Sequence, residues 1–388
     1  MSAASQRVLV VRAEDKPIPG TARPAARQRF RFPMLSVEER TLGELARDAV
    51  RVSMTYVGVC GSDIHLVTAD PATGYVLSSV QAHIDGRGRV LGHEGVGTVL
   101  AVGSDVTHVV AGDVVVFASL DVCQECEQCR RGKPNQCRSA RLLGMETDGL
   151  FGTTVDVSAS LAHRVTDVAR TDEDLQALAC VEPAANAAVA CAYAEVGPND
   201  SVIVFGAGPI GLYCAMMCRV VHGARRVVVV EPRQLRRRLA EPWCDAAFGV
   251  EEFLSGDESS VDVIFEASGA MQNVTRSMGR VAPQGRVVLL GRSGEPLLLD
   301  ELDHVISEAI TIRGCRGHLG GAIDQVVQAY ADGILPLGAI VTGVVDSLDA
   351  LADKLRAPGS IGDDHSKLLA RLGDQLLPPS SEGHVVGG

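Results

Sequence analysis

The chain has 388 residues, 46% hydrophobic and 22% charged, a globular balance in a length sufficient for two domains. Its formal net charge of −12 argues against nucleic acid as a main partner, because neutralising phosphates needs a basic face. Eleven cysteines, an odd number in a chain too long to need disulfide staples, point to metal ligation in a reducing cytoplasm; there is no secretory h-region and no apolar run near the roughly 20 residues of a membrane span.

In chain order, residues 8–11 predict a short strand, and the Arg- and Pro-rich connection that follows, through Arg31, predicts a solvated loop. Residues 49–59 partly alternate, as a half-buried strand does, and deliver Cys60. From His65 to Gly92 the chain is rich in Gly, Ser and Asp and has no period, which in a long connection marks a functional or mobile segment. The β-branched runs 96–102 and 114–117, punctuated by Gly97, Gly103 and Gly112, read as strands of a small β-rich domain, and 155–165 continues it. Residues 172–193 look helical, with a break at Glu182-Pro183.

Strand and helix then alternate: strand 201–205, helix 209–222, strand 226–230, helix 233–240, strand 261–265, helix 271–281, strand 286–290, with a last strand at 310–312. This is the rhythm of an α/β doubly wound parallel sheet. Helices at 321–333 and 347–356 follow, and the tail has disorder composition.

Three patterns carry chemistry. Cys60 and His93 are zinc-ligand types; with a remote carboxylate they leave a fourth position open, the mark of a catalytic metal. Ser62 and His65 sit beside that site in sequence, and both pass protons. Cys123-x2-Cys126-x2-Cys129-x7-Cys137 supplies four thiolates for a closed structural zinc site, with an iron–sulfur cluster as the rival occupant. Gly206-x-Gly208-x-x-Gly211 follows an apolar strand and opens a helix at Pro209, the context a dinucleotide pyrophosphate requires. Glu231 ends the next strand 20 residues beyond Gly211, where a carboxylate accepts hydrogen bonds from the ribose and repels a 2′-phosphate; this favours NAD over NADP. Arg233, Arg236, Arg237 and Arg238 just beyond it are the competing feature, as phosphate binders or as a solvated helix face. Glu182-Pro183 taken alone is an ordinary helix start.

Together these residues resemble a known family, the zinc-containing medium-chain dehydrogenases, which include alcohol, sorbitol and threonine dehydrogenases. Gly92-His93-Glu94-x2-Gly97-x5-Gly103-x2-Val106 matches the family's zinc signature, and Cys60-Gly61-Ser62-Asp63-Ile64-His65 its first-ligand motif. The resemblance implies a GroES-like β-rich catalytic domain over 1–185, a Rossmann domain over 186–318, a return segment over 319–377 and a disordered tail over 378–388. It implies two Zn2+ per subunit: Cys60, His93 and Glu182 at the catalytic ion, and Cys123, Cys126, Cys129 and Cys137 at the structural one. Glu94 would bind the metal transiently, Ser62 would take the substrate proton and His65 would pass it on. Gly206, Gly208, Pro209, Ile210, Gly211, Glu231 and Arg236 would hold NAD, with Lys367 near the pyrophosphate.

The activity implied is hydride transfer between a secondary alcohol (a polyol, sugar, cyclitol or amino-cyclitol) and NAD, through an alkoxide held at zinc. The runner-up is a simple or terpenoid alcohol. A reading of another class is a non-catalytic zinc- and dinucleotide-binding redox sensor. A homodimer or homotetramer with a small alcohol or ketone substrate, and with no membrane or nucleic acid partner, is expected. One departure stands out: an insertion of about ten residues between Cys60 and His93, expected either as a mobile loop or as a lid offering His83, Arg87 or Arg89.

Overall fold

The computed structural model describes residues 5–256, 260–318 and 320–373; the tail expected at 378–388 lies outside them. The chain begins with β1 (Ser5–Asp15) and β2 (Phe30–Thr41), a long antiparallel pair. The short strand expected here is thus longer, and Arg31 belongs to a strand rather than to a solvated loop. Pro33 is tolerated because β2 is an edge strand. Next come β3 (Ala49–Gly58), α1 (Gly61–Val67), β4 (Arg89–Val90), β5 (Glu94–Val102), β6 (Val114–Phe117) and β7 (Leu120–Asp121). The lobe α2 (Glu127–Arg130) precedes β8 (Arg141–Leu142), β9 (Thr154–Ser158) and β10 (Ala162–Arg164). Helices α3 (Asp172–Leu178) and α4 (Val181–Ala194) follow. The break between them falls two residues earlier than Glu182-Pro183, which form the first turn of α4.

The alternating part runs β11 (Ser201–Phe205), α5 (Pro209–Met216), β12 (Arg226–Val230), α6 (Gln234–Ala240), β13 (Ala246–Phe248), α7 (Val250–Ser255), β14 (Val261–Glu266), α8 (Met271–Ser277), β15 (Val281–Leu289), α9 (Leu302–Ser307) and β16 (Thr311–Gly314). The chain closes with α10 (Ala322–Ala331), β17 (Val341–Val345), α11 (Leu348–Arg356), α12 (Pro358–Asp364) and β18 (Lys367–Arg371). The helix expected over 209–222 is α-helical only to Met216 and ends in a π turn at Met217–Val221, which absorbs an extra residue before β12.

Two sheets organise the molecule. One runs β10-β6-β5-β3-β18-β17, with β9 also paired to β3. Its core is made by Val50, Val52, Met54, Tyr56, Val96 and Val115, all buried. The other is fully parallel, in the order β13-β12-β11-β14-β15-β16. Its order reverses beside β11, so the crevice at the carboxyl ends of β11 and β14 is where this architecture binds ligands. The run Val227 to Val230 is buried on both faces, as parallel strands under helices require. α4 packs between the sheets and is apolar nearly all round for that reason. Among the described residues, no single helix is long and apolar enough to cross a membrane.

Candidate active site

Strand register brings the distant parts together. Gly58 of β3 pairs with Glu94 of β5, and with Leu369 of β18 on its other side. Cys60 leaves β3 just beyond that point, and His93 enters β5 just before it. Side-chain ligand atoms of Cys60, His93 and Glu94 consequently lie within 4.8 Å of one another, a spacing that fits one metal ion. Charge agrees with that fit. Burial opposes ionisation of Cys60, but His93 beside it draws the thiol pKa down. Burial likewise opposes a charge on His93, which Cys60 and Asp63 push up to about 10. A set of donors that holds a proton in this way is a set a cation would satisfy.

Asp63, which carried no role in the sequence reading, proves to be the organiser. It is fully buried, and its carboxylate accepts the backbone N–H of Cys60 (3.0 Å) and of Gly92 (3.2 Å), so it fixes both ligand-bearing segments. It also lies 3.9 Å from His93 Nδ1, as the outer partner of a metal-bound imidazole does. Its position three residues after a candidate ligand, at the third residue of a helix, was the available signal.

Glu182, in the first turn of α4, is buried and lines the same cleft, but its carboxylate lies outside the group of three. Lys367 is not where a pyrophosphate contact would put it. It is completely buried, pairs with Glu94 and donates to the carbonyl of Val59 (3.0 Å). Gly58 makes room for this pair: a Cβ there would come within 2.8 Å of both Glu94 Oε2 and Lys367 Cε. Ser62 and His65 share one face of α1 and both line the cleft. Ser62 Oγ is buried with no hydrogen-bond partner among the described residues, and His65 is exposed.

The insertion is neither a free loop nor a lid built from His83, Arg87 and Arg89. Arg89 is buried, held by the His83 carbonyl (2.7 Å) and Asp148 (2.6 Å), while His83 and Arg87 face outward. The segment that lines the cleft is instead 77–81. Backbone hydrogen bonds stitch it to its neighbours: Val76 donates to Phe30, Leu77 to His65, and Ala26 and Arg27 donate to Val80 and Ser78.

The cysteine lobe is equally compact. Sulfur–sulfur distances are 3.6 Å for Cys126–Cys129 and 3.5 Å for Cys137–Cys123, and all four sulfurs lie within 4.8 Å of one another. Four sulfurs at about 2.3 Å from a tetrahedral zinc sit about 3.8 Å apart, so the lobe has the dimensions such an ion needs.

At the dinucleotide motif, Gly206 has φ +90°, and a Cβ on Gly211 would fall 1.9 Å from the Gly206 carbonyl oxygen. Both glycines are required by the turn itself. Gly208, Pro209 and Ile210, at the start of α5, line the cleft together with Arg236. Glu231 is buried and braces the turn, accepting the N–H groups of Ala207 (2.8 Å) and Arg233 (3.0 Å). One cavity of about 820 Å³ runs from this helix start to Cys60, His93 and Glu182. Ala267 and Ser268 line it, and buried Glu266 just before them accepts the N–H groups of Ser268 and Gly269.

Comparison with known proteins gives this arrangement its relatives. Residues 46–167 match the alcohol dehydrogenase GroES-like domain, and residues 175–348 the glucose dehydrogenase C-terminus. The L-threonine 3-dehydrogenase of Streptomyces coelicolor is 30% identical over 319 residues, covering 80% of this chain and 88% of that protein. The D-xylulose reductase A of Aspergillus oryzae is 28% identical over 328 residues, covering 81% and 87%. Among solved structures, galactitol-1-phosphate dehydrogenase from Escherichia coli shares the fold with a TM-score of 0.75 at 22% identity, over 94% of this chain and 99% of that one. Two domain matches in this order, and relatives covered over most of their length, lead to one conclusion: the chain is an oxidoreductase that belongs to the zinc-containing medium-chain dehydrogenase family of alcohol and polyol dehydrogenases.

Proposed function

We propose that the protein oxidises a secondary alcohol of the polyol, sugar or cyclitol class with NAD, and reduces the ketone in reverse. The observation that carries this reading is the shared cavity, in which the Cys60, His93 and Glu94 group and the helix start at Gly208 face one space. Cys60 and His93, with Glu182 or Glu94 as the carboxylate, would hold the catalytic zinc, which supplies polarisation of the alcohol oxygen. The lobe of Cys123, Cys126, Cys129 and Cys137 would hold a second ion with a structural role. Ser62 Oγ, buried with no hydrogen-bond partner among the described residues, would take the alcohol proton, and His65 on the same face of α1 would pass it to solvent. The start of α5 would receive the pyrophosphate and place the nicotinamide, which accepts the hydride. Glu231, a buried negative charge at the end of β12, supports NAD over NADP.

Unpaired cysteines in both groups support a reducing cytoplasm as the working compartment. Exposed Leu298, Leu302 and Ile306, beside the edge strand β16, support a homo-oligomer. The test is cofactor reduction by the purified protein with NAD and NADP separately, against a panel of polyols, cyclitols, amino sugars and simple secondary alcohols, with and without a zinc chelator. Turnover lost to the chelator and faster with NAD is expected. Chelator-resistant turnover, or silence without NADH binding, would reject the reading.

A further inference from the structure

Three carboxylates line the cavity, and two of them have duties already described. Glu94 pairs with Lys367, and Glu182 is a candidate metal ligand. The third is Glu146, half-buried in the turn between β8 and β9. Among the described residues its side chain has one hydrogen bond, from the Leu142 N–H to Oε2 (3.0 Å), and no ion pair.

Backbone contacts place this turn on the wall of the metal group. Gly144 packs so closely on Gly92, the residue before His93, that a Cβ on Gly144 would lie 2.6 Å from the Gly92 carbonyl oxygen. Leu150 donates to that same carbonyl (3.0 Å), and Gly149 to the carbonyl of Val90 (2.9 Å). Glu146 is two residues along the chain from Gly144, a reach of no more than about 7 Å. The insertion meets the turn from another side, with the His83 N–H on the Met145 carbonyl (2.9 Å). Ser79 and Gln81, a few residues earlier, line the same cavity. Among the described residues, the backbone hydrogen bonds of 142–149 all stay within the first domain, whereas the pyrophosphate cradle belongs to the second.

Leu142 fixes the acid twice: its N–H meets Oε2, and its carbonyl accepts the Glu146 N–H (2.8 Å). Oε1 is left without a partner among the described residues. Other acids of this chain are unpaired on the outer surface, where water solvates them. Glu146 differs because it lines the cavity, and a substrate bound there displaces the water. A neutral hydroxyl would then leave the negative charge uncompensated. An ammonium supplies donors and the opposite charge together, in hydrogen bonds about twice as strong as neutral ones. The net charge of −12 also favours arrival of a cation at the cleft.

We infer that the substrate is an alcohol that carries a protonated amine, and that Glu146 binds this ammonium beside the metal group. The class is that of amino alcohols, amino sugars and amino-cyclitols. The inference rests on the alcohol dehydrogenase reading above and narrows its substrate class.

Two measurements test it, both on the zinc-loaded protein. The first compares kcat/KM within matched pairs: 1-amino-1-deoxysorbitol against sorbitol, glucosamine against glucose, and trans-2-aminocyclohexanol against trans-1,2-cyclohexanediol. The wild-type protein should prefer the amine. In Glu146→Gln, whose amide oxygen can still accept the Leu142 N–H, that preference should fall about 10- to 100-fold through KM, with the neutral partner unaffected. The second is calorimetric titration of the NADH-loaded protein with the same three amines, which needs no turnover. Saturable binding that weakens by the same factor in Glu146→Gln is expected.

No binding of any of the three amines to the wild-type protein would overturn the inference. So would a variant that loses amine and neutral partner equally, which would make Glu146 a brace for its own turn. Loss of NAD affinity in the variant, with amine affinity unchanged, would assign the carboxylate to the oxidised nicotinamide instead. Oxidation confined to the neutral alcohols would keep the dehydrogenase reading while removing this one. Amine binding that depends on Glu146, with no alcohol oxidised, would keep the ammonium site while removing the dehydrogenase reading.

Discussion

Replacing Lys367 by Met tests whether the buried pair with Glu94 holds the metal-binding end of the fold together. Both side chains are at or below 1% exposure. Glu94 Oε2 has no hydrogen bond among the described residues that would take over, and the Val59 carbonyl loses its 3.0 Å donor. Removing one partner of a buried ion pair costs about 3–5 kcal/mol, because the other charge stays desolvated and uncompensated. Replacing both partners leaves no stranded charge, so Lys367→Met combined with Glu94→Gln should recover about 2 kcal/mol or more of that loss. The assay is urea unfolding followed by circular dichroism, at fixed zinc and again after chelation, since bound metal adds its own stabilisation. The single variant should unfold at lower urea under both conditions. A midpoint within about 0.5 kcal/mol of wild type, or a double variant no better than the single one, would show that water reaches Glu94 and that the pair is not what fixes this corner.

Three further outcomes are expected. Gly211→Ala should weaken NADH binding at least about tenfold, measured by cofactor fluorescence titration, because its methyl would have to displace the turn at Gly206. His65→Gln should lower kcat by about 10²–10⁴. The His65 ring packs against the cleft wall although part of its surface is open, and that partial burial holds the imidazole below its ordinary value of 6.5, so the wild-type pH profile should lose activity only below that pH, and the variant should lack this acid limb. Far from the cleft, the Arg12 guanidinium, aided by Ser36, draws the Glu38 carboxyl down to about 2. A depressed carboxyl stabilises the fold above its unfolded value of 4.5, and that contribution disappears between pH 4.5 and 2. The pair is part-exposed, so Glu38→Gln should cost no more than about 1 kcal/mol at pH 7 and nothing at pH 2, read from denaturation midpoints.

Local periodicity explains what was legible beforehand. The strands 201–205 and 226–230 are short, β-branched and buried on both faces, so composition and position coincide. The cysteine lobe was legible because its four cysteines sit within one short stretch, and the Gly206–Gly211 turn because steric demand leaves only glycine there. Lys367 was not legible: it acts on Val59, 308 positions away, and on Glu94, and only the insertion of β18 between β3 and β17 creates those contacts. The aperiodic run after His65 concealed its purpose for a similar reason. It is ordered by hydrogen bonds to Phe30, Ala26 and Arg27, which are far off in sequence. Helix α4 was placed correctly, but its first turn was blurred by a proline that is comfortable there.

The position of β18 also constrains how the protein is made. A ribosome delivers β3 and β5 early, yet the strand that lies between β3 and β17 is synthesised only after the whole dinucleotide sheet. Until then the Tyr56–Gly58 end of β3, beyond the stretch paired with β9, is open and the Glu94 carboxylate lacks its ammonium partner. The first sheet therefore stays incomplete while the second domain is built. Final closure of the first domain becomes a late event in the life of each chain, and truncation just before Lys367 would leave both domains written but the first one unsealed.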